Sequence, residues 1–235
     1  MMSNEIKKTN RTKTVLIIII LLMSVAALVR IWLFWYKPID TEVNVGDLIA
    51  FGHYPQSESG KDNTPIQWRV LTVQGDRALL ISEYALDAMN FDTDWTDATW
   101  ESCALRKWLN NGFYNRAFSL EEKRNLANSK VTADENPIFD SNQGRDRTDI
   151  VFLLSIREAN RYFKDDASRM CAPTDYASKR GAYTEAKNCC WWLRSSGAFN
   201  GLAAVVGADG SVDSCGHIVY YGDCGIRPCV WVRIP

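Results

Sequence analysis

The stretch Trp191 to Pro235 reads WWLRSSGAFNGLAAVVGADGSVDSCGHIVYYGDCGIRPCVWVRIP, and its pattern decides the fold. It is aromatic and β-branched, cut at short intervals by glycine, and it runs to the last residue. Trp191, Trp192 and Leu193 make an apolar run closed by Arg194, Ser195, Ser196 and Gly197. Ala203 to Val206, the Gly207-Ala208-Asp209-Gly210 turn and Ser211 to Ser214 read as a tight hairpin. Ile226 to Ile234 reads as a closing strand, with Val230, Val232 and Ile234 on one face and Trp231 and Arg233 on the other. A carboxyl terminus this apolar is expected inside the core.

The opposite end carries a different signal. Residues 1 to 14 hold Lys7, Lys8, Arg11 and Lys13 against the single acid Glu5. Val15 to Val29 follows with Ser24 as its one polar residue, then Arg30, then the aromatic run Trp32, Phe34, Trp35 and Tyr36. Residues 15 to 36 have the length to cross a hydrocarbon core of about 30 Å at ~1.5 Å per residue. Arg30 lies near one end, where its stem can snorkel to the headgroups, and the aromatics match an interfacial belt. The expected layout is a cytoplasmic basic tail (1–14), a transmembrane helix (15–36), a linker (37–42) and an extracellular domain (43–235). A cleaved leader ending at Ser24-Val25-Ala26 is the alternative.

Between the two ends, Val43 to Gly52 reads as a first strand. Ile66 to Val73, the turn Gln74-Gly75-Asp76 and Arg77 to Ser82 form the clearest hairpin. Trp100 to Asn110 has helical spacing, closed by Asn110-Asn111-Gly112, with Asp97 or Thr99 as N-cap. Ser119-Leu120-Glu121-Glu122 opens a second helix as a capping box. Residues 132 to 148 read as a polar loop, and Asp149 to Ser155 as a buried strand. Ser155 then caps a helix running to Phe163. Asp165 to Asn188 is mostly polar, with one short helix.

Composition narrows the function. The net charge is -1, with 27 basic against 28 acidic residues, so nothing in bulk points to nucleic acid. Asp92 to Asp97 (DTDWTD) lacks the glycine and the terminal carboxylate of an EF-hand loop. Seven cysteines (103, 171, 189, 190, 215, 224 and 229) include no CxxC pair, and the two histidines, His53 and His217, are far apart, so no zinc site is expected. In an extracellular domain some of these cysteines can pair, with at least one left over, and spacing leaves the connectivity open. Cys215 and His217 sit two apart on one expected strand, yet no third residue completes a triad. Arg194 and Arg227 are expected to hold backbone segments together through their planar forks, with Trp191, Trp192 and Trp231 mostly in the core. Asn200, Asp209, Ser211, Asp213, His217, Tyr220, Tyr221 and Asp223 gather in the terminal hairpins. Their chemistry is that of recognition loops.

Six motifs occur in order: Val45-Gly46-Asp47 with Phe51-Gly52-x-Tyr54-Pro55-Gln56; Ile66-x-Trp68-Arg69-Val70-Leu71; Trp100-Glu101 with Leu105-Arg106-x-Trp108-Leu109-Asn110; Val151-Phe152-Leu153-Leu154-Ser155; Trp191-Trp192-Leu193-Arg194-Ser195; and Gly225-Ile226-Arg227-Pro228-x-x-Trp231. Together they resemble domain-of-unknown-function family 6273, found on bacterial and often cell-surface proteins, over about residues 43 to 235. The ending is also similar to the C-type-lectin-like fold of formylglycine-generating enzymes and of variable proteins diversified by retroelements. In that fold the C-terminal strands display side chains to a ligand. Cys224 and Cys229 have the offset of the formylglycine-generating cysteine pair, but they straddle Gly225-Ile226-Arg227, so no catalytic role carries over.

The resemblance and the residues together imply an α+β domain. It would be C-type-lectin-like: twisted antiparallel hairpins with two or three packed helices, preceded by one transmembrane helix. The expected protein spans the cell membrane once. Outside the cell it binds a surface glycan, cell-wall component or protein, without catalysis, cofactor or metal. An enzyme of the formylglycine-generating (sulfatase-modifying) type is the alternative, and a structural ectodomain of an envelope complex the third reading.

Overall fold

A computed structural model describes residues 42 to 95 and 97 to 234. The expected basic tail, the transmembrane segment 15–36 and the linker as far as residue 41 lie outside the described residues. Among the described residues no helix is long and apolar enough to cross a membrane.

The domain is a mixed α+β structure built on antiparallel strands, with few and short helices. Leu48–Tyr54, Thr64–Gln74 and Arg77–Ser82 form a meander. The expected hairpin is present: Gln74 pairs with Arg77 across a two-residue turn, and Gly75 adopts φ +59°. The first strand starts later than its apolar pattern suggests. Gly46, at φ +90°, makes a turn in which the Asp47 amide donates to Asn44 O at 3.1 Å, so the ladder begins at Leu48.

The last strand, Cys229–Arg233, lies inside this sheet. One edge pairs antiparallel with Arg77–Ser82; the other pairs with Leu126–Ala127 and with Val151–Phe152. Val230 and Val232 are fully buried, Trp231 is half-buried and Arg233 is exposed, the alternation of a strand with one face in the core. The strand expected to run unbroken from Ile226 is divided. Gly225–Ile226 belongs to a second sheet, and the chain changes sheets at Arg227-Pro228. Pro228 has no N–H for a ladder, though its carbonyl still accepts from the Ser82 amide at 3.0 Å.

In the second sheet the strands run in the order Val212–Ile218, Leu202–Val206, Trp191–Ser196, Gly225–Ile226, Asp87–Ala88. The pairing of Trp191 with Gly225 is parallel and the others are antiparallel. The Gly-Ala-Asp-Gly turn closes by Gly210 N to Gly207 O at 2.9 Å, with Gly210 at φ +84°.

Trp68, Trp191 and Trp192 are fully buried. Each indole N–H reaches a carbonyl: Phe51 O at 2.6 Å, Arg169 O at 3.2 Å and Met89 O at 2.9 Å respectively. A buried donor left without a partner would cost about 1–3 kcal/mol, so these bonds make large aromatic burial possible.

The first helix departs from its expected ends. Its N-cap is Cys103, whose sulfur accepts from the Arg106 amide, rather than Asp97 or Thr99. It also continues past Asn110-Asn111-Gly112. Ala104–Trp108 passes through a wide π-turn, Leu109–Phe113, into Tyr114–Ala117. Leu105, Leu109, Phe113 and Ala117 are all buried, a spacing of four that the wider turn accommodates. The Asn110 side chain lies outside the helix ladder in part: it accepts from the Ile150 and Val151 amides and donates to Val151 O. Ser119 and Glu122 exchange the two bonds of a capping box ahead of Glu122–Asn125. Ser155 and Glu158 do the same at the start of Ile156–Tyr162. The polar loop 132–148 is pinned by Asn136, whose amide donates to Ser196 O and Ser214 O at 3.0 and 2.8 Å.

Candidate recognition surface

Three loops meet at one end of the second sheet. The Asp92 amide donates to Val219 O at 2.9 Å, and the Val219 amide to Gly201 O at 3.0 Å. These bonds tie the segment after Asp87–Ala88 to the 197–201 turn and to the chain beyond Ile218. Four large aromatic side chains stand out from the junction: Trp95 (52 % exposed), Phe199 (58 %), Tyr220 (41 %) and Tyr221 (45 %). They touch one another. Ring centroids are 6.4 Å apart for Trp95–Phe199, 6.0 Å for Trp95–Tyr220 and 5.0 Å for Tyr220–Tyr221. Exposed apolar rings in contact form a patch, whereas singly scattered ones carry no meaning. His217 flanks the patch, 5.6 Å from the Tyr221 ring and 5.8 Å from buried Trp192, and its Nε2 lies 2.9 Å from Asp223 Oδ1.

The eight residues expected to bind ligand divide into two groups. His217, Tyr220, Tyr221 and Asp223 come together here, and Asn200 is exposed beside Phe199 in the adjoining turn. Asp209, Ser211 and Asp213 lie at the far end of the same hairpin, because Leu202 pairs with Ile218 while Val206 pairs with Val212. Their polar atoms serve the local turns. Asp209 accepts from the Ser211 amide and hydroxyl, and Asp213 accepts from the Cys215 and Gly216 amides. Trp95 and Phe199 escaped the sequence reading. Trp95 sits in an acidic run whose carboxylates draw the reading toward metal binding and helix capping, and Phe199 follows a glycine-closed strand with nothing local to mark it as exposed.

Arg194 and Arg227 are buried elsewhere. Arg194 donates to Thr132 O at 3.2 Å and Leu153 O at 2.9 Å, and it contacts the carboxylates of Glu158 and Asp134. Arg227 donates to Ser82 O at 2.8 Å and faces the rings of Phe163 and Trp191, with centroids 5.3 and 5.2 Å away.

The remaining chemistry is sparse. A bulge at Gly216, φ +92°, separates Cys215 from His217, whose ring nitrogen bonds Asp223 instead. Cys229 is buried between Ile81 and Phe152 in the first sheet, well away in the topology from Cys224, which contacts Cys190. Burial pushes the Cys103 thiol up to about 12 and the Cys229 thiol well above its ordinary range, so neither is a ready nucleophile. Among the described residues one cluster has metal-donor chemistry: His217, Asp223 and Cys224 each bring a ligand atom within 4.8 Å of the others. The cysteine and histidine spacing speaks against a finger-type zinc site; this cluster is a different one, gathered by the fold across the turn after Ile218. Two clefts, of about 780 and 490 Å³, lie elsewhere; neither is lined by cysteine or histidine.

No curated protein and no solved structure matches the chain. Residues 75 to 234 match the family model described as "Domain of unknown function (DUF6273)", and the chain, with its buried Trp191–Arg194 strand and its Gly225–Pro228 crossing, belongs to that family.

Proposed function

We propose that this is a non-catalytic recognition domain, held outside the cell by the apolar segment 15–36, and that the aromatic patch takes a surface or cell-wall glycan. The observation that carries the reading is the contact among four exposed rings from three loops, Trp95, Phe199, Tyr220 and Tyr221. The flat C–H faces of sugar rings stack on such aromatics, and Asn200, His217 and Asp223 stand beside them to bond hydroxyls. Tyr and Trp present large rigid contact area at small entropic cost. A C-type-lectin-like arrangement agrees with this use: the closing strand is interior and the terminal hairpins bear the exposed side chains.

The test is a glycan array and a cell-wall pull-down with the full chain. Wild type is expected to bind a defined glycan, Trp95→Ala and Tyr220→Ala to weaken it at least tenfold, and Asp209→Ala to leave it unchanged. Equal binding by Trp95→Ala and wild type, or binding by no member of the array or wall fraction, rejects the proposal.

A further inference from the structure

The one parallel pairing in the second sheet brings two cysteines side by side. Trp191 is in register with Gly225, and the Gly225 amide donates to Cys190 O at 2.8 Å. Residues 190 and 224 are therefore neighbours across the ladder, one step before that pair. Their sulfurs are 2.6 Å apart, nearer than two unbonded sulfur atoms approach. Two thiolates of a tetrahedral zinc site, each ~2.3 Å from the metal, stand roughly 3.7 Å apart, so the spacing favours a sulfur–sulfur bond over shared coordination. Cys224 is buried and Cys190 is half-buried against Asp223 O. The preceding cysteine lies against a different one: the Cys189 amide donates to Cys171 O at 2.9 Å. Cys189 ends the strand Asn188–Cys189 and Cys190 lies between it and Trp191–Ser196, so the two cysteines meet separate partners.

We propose that Cys190 and Cys224 form a disulfide, and that it locks the candidate recognition surface to the central strand of the second sheet. The bridge holds residue 224, next to Asp223 and three residues beyond Tyr221, against the start of Trp191–Ser196. It does not depend on what the surface binds. The chemistry is thiol–disulfide exchange with an external disulfide, R–S–S–R, either a small-molecule disulfide or an oxidoreductase. One protein thiolate attacks it and releases RS⁻. The second protein thiolate then attacks the mixed disulfide and releases the other. Two protein thiols and one R–S–S–R give one bridge and two RSH. Such oxidants act outside the cytoplasm. The bridge also withdraws the Cys224 thiolate from the His217–Asp223–Cys224 cluster, leaving two donors there.

The full chain, exported by its host, is denatured without reductant, alkylated with N-ethylmaleimide and weighed intact. Cys190→Ser and Cys224→Ser are each expected to carry one adduct more than wild type, because the orphaned partner becomes reactive. The double variant is expected to match wild type. One adduct fewer in each single variant and two fewer in the double overturns the bridge. Peptide mapping of unreduced wild type reads the same bond without any substitution. A linked fragment joining Asn188–Arg194 to the segment with Cys224 is expected. Alkylated Cys190 in that digest, with or without a stoichiometric metal in the native protein, overturns it.

Discussion

The Trp95 indole lies against the backbone of Gly201: a Cβ added at residue 201 would sit 2.7 Å from Trp95 Cε2. Gly201 also adopts φ +82°, a conformation that side-chain-bearing residues adopt at a cost. One glycine thus sets both the turn and the seat of the Trp95 ring. Gly201→Ala is expected to destabilise the fold by about 1–2 kcal/mol and to swing the indole out. Tryptophan fluorescence and thermal unfolding measure the two effects, and unchanged emission would contradict the seating.

Arg194 predicts a larger loss. Its guanidinium is buried, joins two carbonyls and faces the carboxylates of Glu158 and Asp134. Arg194→Met leaves these acceptors without a cation, at about 3 kcal/mol. For a domain of this size that lowers Tm by roughly 6–12 °C. Arg194→Lys is also expected to destabilise, since one ammonium cannot span the partners of a planar fork. Calorimetry on both variants checks the ranking.

Acid should weaken the polar loop 57–64. The hydroxyls of Ser57 and Thr64 and the amides of Gln56 and Ser57 donate to the Asp62 carboxylate and hold its pKa far below the usual carboxylate range. A carboxylate with a depressed folded-state pKa contributes stability that is complete above its unfolded value, about 3.9, and lost as pH falls toward the folded value. Asp62→Asn is expected to be less stable than wild type at pH 7. The gap between the two stability curves should start to narrow below about pH 5 and keep narrowing as pH falls further, as denaturant titrations at stepped pH would show.

Reduction should also destabilise the domain. A bridge between Cys190 and Cys224 closes a loop with a sequence separation of 34. The chain-entropy relation assigns such a loop about 3–4 kcal/mol, or roughly 10 °C in Tm. Dithiothreitol is expected to lower the Tm of wild type by that amount and to leave the double variant Cys190→Ser/Cys224→Ser unmoved. Equal sensitivity of the two proteins would count against the assignment.

Local pattern was enough to place much of the secondary structure. The hairpins around Gly75-Asp76 and Gly207–Gly210 announce themselves because glycine and aspartate relieve the strain of tight turns between β-branched runs. The caps at Ser119 and Ser155 show in the same way, through a hydroxyl three residues ahead of a glutamate. The first helix shows where such reading stops. Asn110-Asn111-Gly112 has the composition of a helix end, yet Asn110 bonds the distant Ile150–Val151 backbone and a π-turn carries the helix onward.

By itself, then, the sequence determined the strand periodicities, the hairpin turns, the caps at Ser119 and Ser155, the family motifs and the apolar carboxyl terminus, all properties of neighbours along the chain. The tertiary structure alone decided that Pro228 divides the closing strand between two sheets, that Cys190 meets Cys224, and that Trp95 joins Phe199 and Tyr220 while Asp209, Ser211 and Asp213 lie at the hairpin's other end. These are cross-ladder relationships. They are fixed by register and by hydrogen bonds between residues tens to hundreds of positions apart, and no local spacing encodes them.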